Sequence, residues 1–241
     1  MRKLISWLNR ILFPKRFGFC RCSIPEETAL HICEDCLEKL PVISGSGKQI
    51  LKGHVDFVLS PFCYARGVRT IVKNMKFANK PMLAETLAAF MAERLVKVCN
   101  TDEFDMVMPV PMTRNKQAKR GYNPAALLAK SVARRCDLPY EENVLVKIKE
   151  TKPQSTIQAY DKRVLNIRDA FSCKRELEDA CVLLVDDVFT TGQTVQNCAK
   201  ALKVAGVRRI CVLTAAQAHA RPAKTPVRYQ RLGNLVFRLD K

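Results

Sequence analysis

V-L-L-V-D-D-V-F-T-T-G-Q-T, running from Val182 to Thr194, carries three signals in thirteen residues. Val182 to Val185 is an unbroken aliphatic run, the pattern of a strand buried on both faces inside a parallel sheet. Asp186 and Asp187 follow, where that strand is expected to end. Thr190, Thr191, Gly192, Gln193 and Thr194 form a small polar loop, and from Thr194 to Val204 apolar residues recur at helical spacing. A strand–loop–helix order aims backbone N–H groups and the positive end of a helix dipole at one point beyond the strand, which suits a phosphate monoester. Glycine at position 192 lets the backbone approach the anion, and the threonine hydroxyls add donors. The two aspartates offer acceptor oxygens only, which suit the vicinal hydroxyls of a ribose or a hydrated magnesium ion. A sugar carrying hydroxyls and a 5′-phosphate satisfies both halves. An acidic pair alone, or a T-T-G-x-T turn alone, is a common strand end or helix start; joined in one stretch they are specific.

Upstream, Met106 to Val110 is another short apolar run, and P-V-P-M-T-R-N-K-Q-A-K-R-G-Y-N follows from Pro109 to Asn123. Arg114, Lys116, Lys119 and Arg120 are expected in a loop between that strand and a helix from about Asn123 to Cys136. Open α/β sheets bind ligands at the carboxyl ends of their strands, so these cations are placed to hold a diphosphate and its magnesium. The alternative is a solvated basic loop. Val55–Leu59, Val144–Ile148 and Arg208–Thr214 read as further strands; Val68–Phe77 and Leu83–Val98 read as helices. The polar segment Thr151–Asn166, with Gln154, Arg163 and Asn166, reads as a mobile cover over the site. Strands alternating with helices imply an α/β fold with a doubly wound parallel sheet.

That main domain is expected over residues 55–219, after a turn-rich linker at 41–54 containing S-G-S-G. Residues 1–40 hold a short amphipathic helix marked by Leu4, Leu8, Ile11 and Leu12, which packs on its own domain or touches a membrane surface, and a cysteine-rich segment. Cys20, Cys22, Cys33 and Cys36 suggest one tetrahedral, structural zinc site, with His31 in reserve and free thiols as the alternative. Four thiolates leave no open coordination position, so this zinc is not expected to be catalytic. The other cysteines are scattered among apolar neighbours, as buried thiols in a reducing compartment are. Residues 220–241 form a basic tail, either a strand at Leu235–Leu239 or a flexible arm.

With 41 Lys and Arg against 23 Asp and Glu, the net charge is +18. Such a surface favours polyanions, nucleic acid or phosphate-rich small molecules alike. No apolar run is long enough for a membrane helix and no secretory cleavage pattern is present, so the expected location is the cytoplasm.

The Val182–Thr194 stretch resembles the phosphoribosyl-diphosphate (PRPP) signature of type I phosphoribosyltransferases. The wider chain, roughly residues 10 to 218, is similar to the ComF family of bacterial competence. The similarity rests on I-L-F-P at Ile11–Pro14, the cysteine cluster, V-R-T-I-V-K-N-M-K-F at Val68–Phe77, P-V-P with K-R-G-Y-N, Gln154, and the R-x-x-N of Arg163–Asn166. The family's usual first cysteine is Phe17 here, and the basic tail lies outside the family pattern. The resemblance implies a type I phosphoribosyltransferase-like fold with a small N-terminal zinc-ribbon-like segment. It implies that Asp186 and Asp187 hold ribose hydroxyls, with magnesium as cofactor, and that residues 190–194 hold the 5′-phosphate. It leaves three functions open: a pentosyl transferase of unnamed acceptor, a competence factor binding phosphoribosyl groups or single-stranded DNA without turnover, and a PRPP-responsive regulator. The expected partners are a phosphoribosyl-containing small molecule, single-stranded DNA and the competence machinery.

Overall fold

The structure is a computed structural model of the 241-residue chain, and it describes residues 20, 30–148, 170–224, 227–232 and 235–239. The expected N-terminal helix, Cys22 and the cover residues Gln154, Arg163 and Asn166 lie outside the described residues.

The chain is built around one sheet ordered β1-β2-β8-β7-β4. Four of its members, β2 (Phe57–Leu59), β8 (Arg209–Gln217), β7 (Cys181–Phe189) and the edge strand β4 (Met106–Pro109), run parallel. β3 (Phe62–Cys63) resumes the line of β2 along β8, since Phe62 pairs with Ala216 and Leu59 with Leu213. β1 (Lys48–Ile50) adds an antiparallel edge, so the segment expected as a linker contributes a strand.

Alternation along these strands makes two cores, one on each face. On one face Phe57, Leu59, Val107, Leu183, Val185 and Leu213 pack under three helices: α2 (Arg66–Phe77), α3 (Leu83–Val98) and α5 (Pro124–Cys136). Helix α2 turns Val68, Ile71, Val72 and Met75 inward at the i, i+3, i+4, i+7 spacing of an amphipathic helix. On the other face Val58, Met108, Val182, Leu184 and Val212 pack under α6 (Gln193–Val204) and an antiparallel pair, β5 (Leu145–Lys147) with β6 (Phe171–Cys173). The run at 144–148 is therefore a strand, as its pattern says, but it stands outside the parallel sheet.

One further expectation changes, and one open alternative is decided. The basic stretch expected as a loop is mostly a short helix, α4 (Arg114–Arg120), ended by Gly121 in the left-handed region at φ 85°. Of the two readings of the tail, the strand at Leu235–Leu239 is the one observed: it is β10, paired in a hairpin with β9 (Arg228–Leu232). Tyr229 and Val236 are buried in the first core, and the Tyr229 ring meets Phe90 of α3 edge-on at 5.1 Å between centroids. α1 (Glu34–Glu38) packs against β9 and buries Leu37, which joins the cysteine-bearing segment to the same core.

Candidate phosphoribosyl site

β7 runs on through both carboxylates to Phe189 rather than stopping before them, and β8 accompanies it, with Asp186 opposite Thr214 and Phe189 opposite Gln217. Successive side chains on a strand point to opposite faces, so the two aspartates at its carboxyl end part company. Asp187 turns toward α2, where its Oδ1 lies 2.7 Å from Lys76 Nζ; the residue is 8% exposed. Asp186 lies on the side of α6 and β5, close enough to Lys147 and Cys198 to interact with both electrostatically. Its Oδ1 accepts the Asp187 N–H at 2.8 Å. Burial first, and then the neighbouring Asp187 carboxylate, push Asp186 up to about 7.

After Phe189 the chain turns into α6. Thr190, Thr191, Gln193 and Thr194 are exposed around this turn, while Gly192 is buried with φ 78°. Glycine is required here twice over. The left-handed backbone strains any L side chain, and a Cβ would stand 2.8 Å from the Phe189 ring. Gly192 is the N-cap of α6, and its carbonyl accepts the Gln196 N–H at 2.9 Å. The free N–H groups of the first helical turn thus point out beyond the end of β7, the arrangement that binds phosphate.

A cleft of about 810 Å³ opens at the carboxyl end of β4, and its lining comes from β4, α4, the start of α5 and β5 rather than from the β7–α6 turn. Thr113, Arg114, Asn123, Glu142, Lys147 and Lys174 are among the residues that line it. Asn123 is itself fixed: its Nδ2 donates to Val110 O at 3.0 Å, and its Oδ1 caps α5 by accepting the Ala125 N–H at 3.1 Å. Of the four expected diphosphate cations, Arg114 reaches the cleft. Lys116 and Lys119 are exposed on α4, and the Arg120 guanidinium lies over the Phe77 ring at 5.1 Å.

Two cations near the carboxylates, Lys76 and Lys147, are not among the site residues expected from the sequence. Lys76 follows the inward-facing Met75 at the end of an amphipathic helix, and Lys147 interrupts an apolar strand. A cation at the polar end of each apolar pattern is the signal that could have found them.

At the other end of the chain, Cys20, Cys33 and Cys36 bring their sulfur atoms within 4.8 Å of one another, with Cys20 and Cys33 at 3.6 Å. Thiolates bound at about 2.3 Å to a tetrahedral zinc sit roughly 3.8 Å apart, so the cluster fits that ion. Burial, reinforced by Cys33 and Cys20, pushes the Cys36 thiol up to about 12. Cysteines 63, 181, 198 and 211 are buried, and none of the described cysteines is in a disulfide.

The phosphoribosyl transferase domain family matches residues 118–233. Competence protein F of Haemophilus influenzae is 30% identical over 211 residues, covering 85% of this chain and 86% of that protein. DNA utilization protein YhgH of Escherichia coli K12 is 24% identical, covering 76% of each chain, and competence protein ComFC of Streptococcus pneumoniae is 25% identical, covering 62% and 63%. With the β7 carboxylates, the glycine-capped α6 and the cluster of Cys20, Cys33 and Cys36 in place, this similarity over most of both chains shows that the chain belongs to the ComF family and carries a type I phosphoribosyltransferase fold.

Proposed function

We propose that the end of β7 binds a 5′-phosphorylated ribose, as PRPP with magnesium, in a protein that serves DNA utilisation. One observation carries the reading: a parallel strand holding two carboxylates leads directly into a turn whose buried glycine caps a helix of twelve residues. The turn and the α6 N-terminus would take the 5′-phosphate through backbone N–H groups and the hydroxyls of Thr190, Thr191 and Thr194. Asp186 and Asp187 would accept from the ribose hydroxyls. Arg114 and Lys147, which both line the cleft, would face the diphosphate, with Lys116, Lys119 and Arg120 supplying the surrounding positive field. Magnesium, when bound with PRPP, would neutralise charge on the diphosphate and ease its departure from ribose C1. The DNA-linked role is drawn from the relatives named for competence and DNA utilisation. We also propose that Cys20, Cys33 and Cys36, with Cys22 as the fourth ligand, hold a structural zinc.

Isothermal titration of PRPP with magnesium tests the site. Wild-type protein is expected to bind, and Asp186→Asn/Asp187→Asn to lose about tenfold or more, some 1.4 kcal/mol or above. Equal affinity in the two proteins removes the assignment. Diphosphate release across a panel of bases and amines then separates turnover from binding alone.

A further inference from the structure

Helix α2 has a second face that the phosphoribosyl site does not use. Arg66, Arg69, Lys73 and Phe77 follow one another at spacings of three, four and four residues, so they form one exposed stripe opposite the buried Val68, Ile71, Val72 and Met75. The stripe is about 16 Å long at the rise of an α-helix. No acidic residue occurs between Asp56 and Glu85, or between Asp105 and Asp137, so neither α2 nor the adjoining α4 carries an acid. Among the described residues, none of Arg66, Arg69, Lys73, Lys80, Lys116 and Lys119 pairs with a carboxylate.

At the end of the stripe stands Phe77, 75% exposed. Its ring is held from below: Arg120 of α4 lies over it at 5.1 Å, and the Tyr122 hydroxyl donates to Met75 O, tying the two helices together. Next to it, Lys76 reaches in to Asp187. A large aromatic surface is thus kept open to solvent at the junction of two acid-free basic helices, one residue from the candidate site.

We infer that this α2–α4 face is a track for single-stranded nucleic acid, with the phosphates along Arg66, Arg69, Lys73 and the α4 lysines and one base stacked on Phe77. Charge complementarity selects a polyanion. The exposed ring selects a strand whose bases are free to stack, over a duplex or an acidic peptide, because stacking on an aromatic side chain needs an unpaired planar base. The track deepens the DNA-linked part of the proposed function; it shares the α4 lysines with the field around the phosphoribosyl site, while Arg66, Arg69, Lys73 and Phe77 belong to the track alone.

Fluorescence anisotropy with a labelled oligothymidylate, measured across a salt series on the full chain, tests it. Phe77→Ala is expected to weaken binding about tenfold and leave the salt slope unchanged, because it removes a stacked base and neutralises no phosphate. Arg66→Ala/Arg69→Ala/Lys73→Ala is expected to flatten the log–log salt slope by about 2, at about 0.7 for each phosphate left without its cation. PRPP affinity should be unchanged in that triple variant, and oligothymidylate affinity should not fall in Asp186→Asn/Asp187→Asn, which removes negative charge beside the track and frees Lys76 from its partner. Wild-type thermal melting in the variants excludes loss of fold as the cause. The track is overturned if Phe77→Ala binds like wild type, if the triple variant keeps the full salt slope, or if duplex DNA or polyglutamate displaces the oligothymidylate as well as an unlabelled single strand does. Absence of PRPP binding in the wild type, with the Phe77→Ala loss intact, would remove the phosphoribosyl assignment and leave the track standing.

Discussion

Asp186 holds a carboxyl where its charge is least welcome: largely buried and beside a second carboxylate. A group whose pKa rises from 3.8 unfolded to about 7 folded binds a proton more tightly in the native state, so folding is disfavoured progressively as pH rises from about 4 to about 7. Asparagine keeps the shape and cannot ionise. Asp186→Asn is therefore expected to be more stable than wild type at pH 8, with the advantage shrinking toward pH 4, by urea denaturation. A variant equal to or weaker than wild type at pH 8 would show that the Asp186 charge is compensated in the free protein. The pleat turns the neighbouring Asp187 to the other face, where Lys76 meets it at 2.7 Å.

At the scale of elements, α1 and β9 join the two ends of the chain. The short helix spans Glu34–Glu38, too few residues to persist alone, and it holds Cys36 and the buried Leu37. A zinc bound through Cys20, Cys33 and Cys36 closes that loop by a strong multidentate link, so the segment's order is expected to depend on the metal. Protein purified without chelator should contain about one zinc per chain. Its removal, or Cys33→Ser, should raise hydrogen exchange of residues 30–40 selectively and leave β7 and β8 protected. Metal content well below half an equivalent would leave three clustered thiols as the better description. The β9–β10 hairpin adds a consequence for mutagenesis. Tyr229 and Val236 cover α3, so truncating residues 220–241 would bare the core as well as remove charge; substitutions of exposed Arg221, Lys224 and Arg228 separate the two.

For the whole molecule, the charge of +18 is an energetic load as well as an attraction for polyanions. Like charges crowd more closely in the folded state than in the expanded chain, so self-repulsion opposes folding. Raising ionic strength from about 0.01 M to about 0.1 M shortens the screening length from roughly 30 Å to 10 Å. The thermal midpoint is therefore expected to rise over that range, while affinity for single-stranded DNA falls. A midpoint that drops with salt would mean that favourable ion pairs outweigh the excess of positive charge.

Periodicity and local chemistry made much of this protein legible in the sequence. An unbroken aliphatic run at 182–185, the inward stripe of α2 and the Leu83–Val98 helix each belong to patterns set by nearest neighbours along the chain. The same holds for Gly192, where a left-handed turn before a helix admits few other residues. Tertiary structure decided the rest, because it depends on which surfaces meet. Whether Val144–Ile148 joins the parallel sheet or pairs with β6 depends on long-range partners that an apolar run does not name. Lys76 becomes a site residue when α2 packs across the end of β7, and Lys147 when β5 crosses on the opposite face. The tail becomes a hairpin because α3 offers Phe90 for Tyr229 to cover. The two aspartates read as one adjacent pair along the chain; the pleat of the sheet sends them to opposite faces.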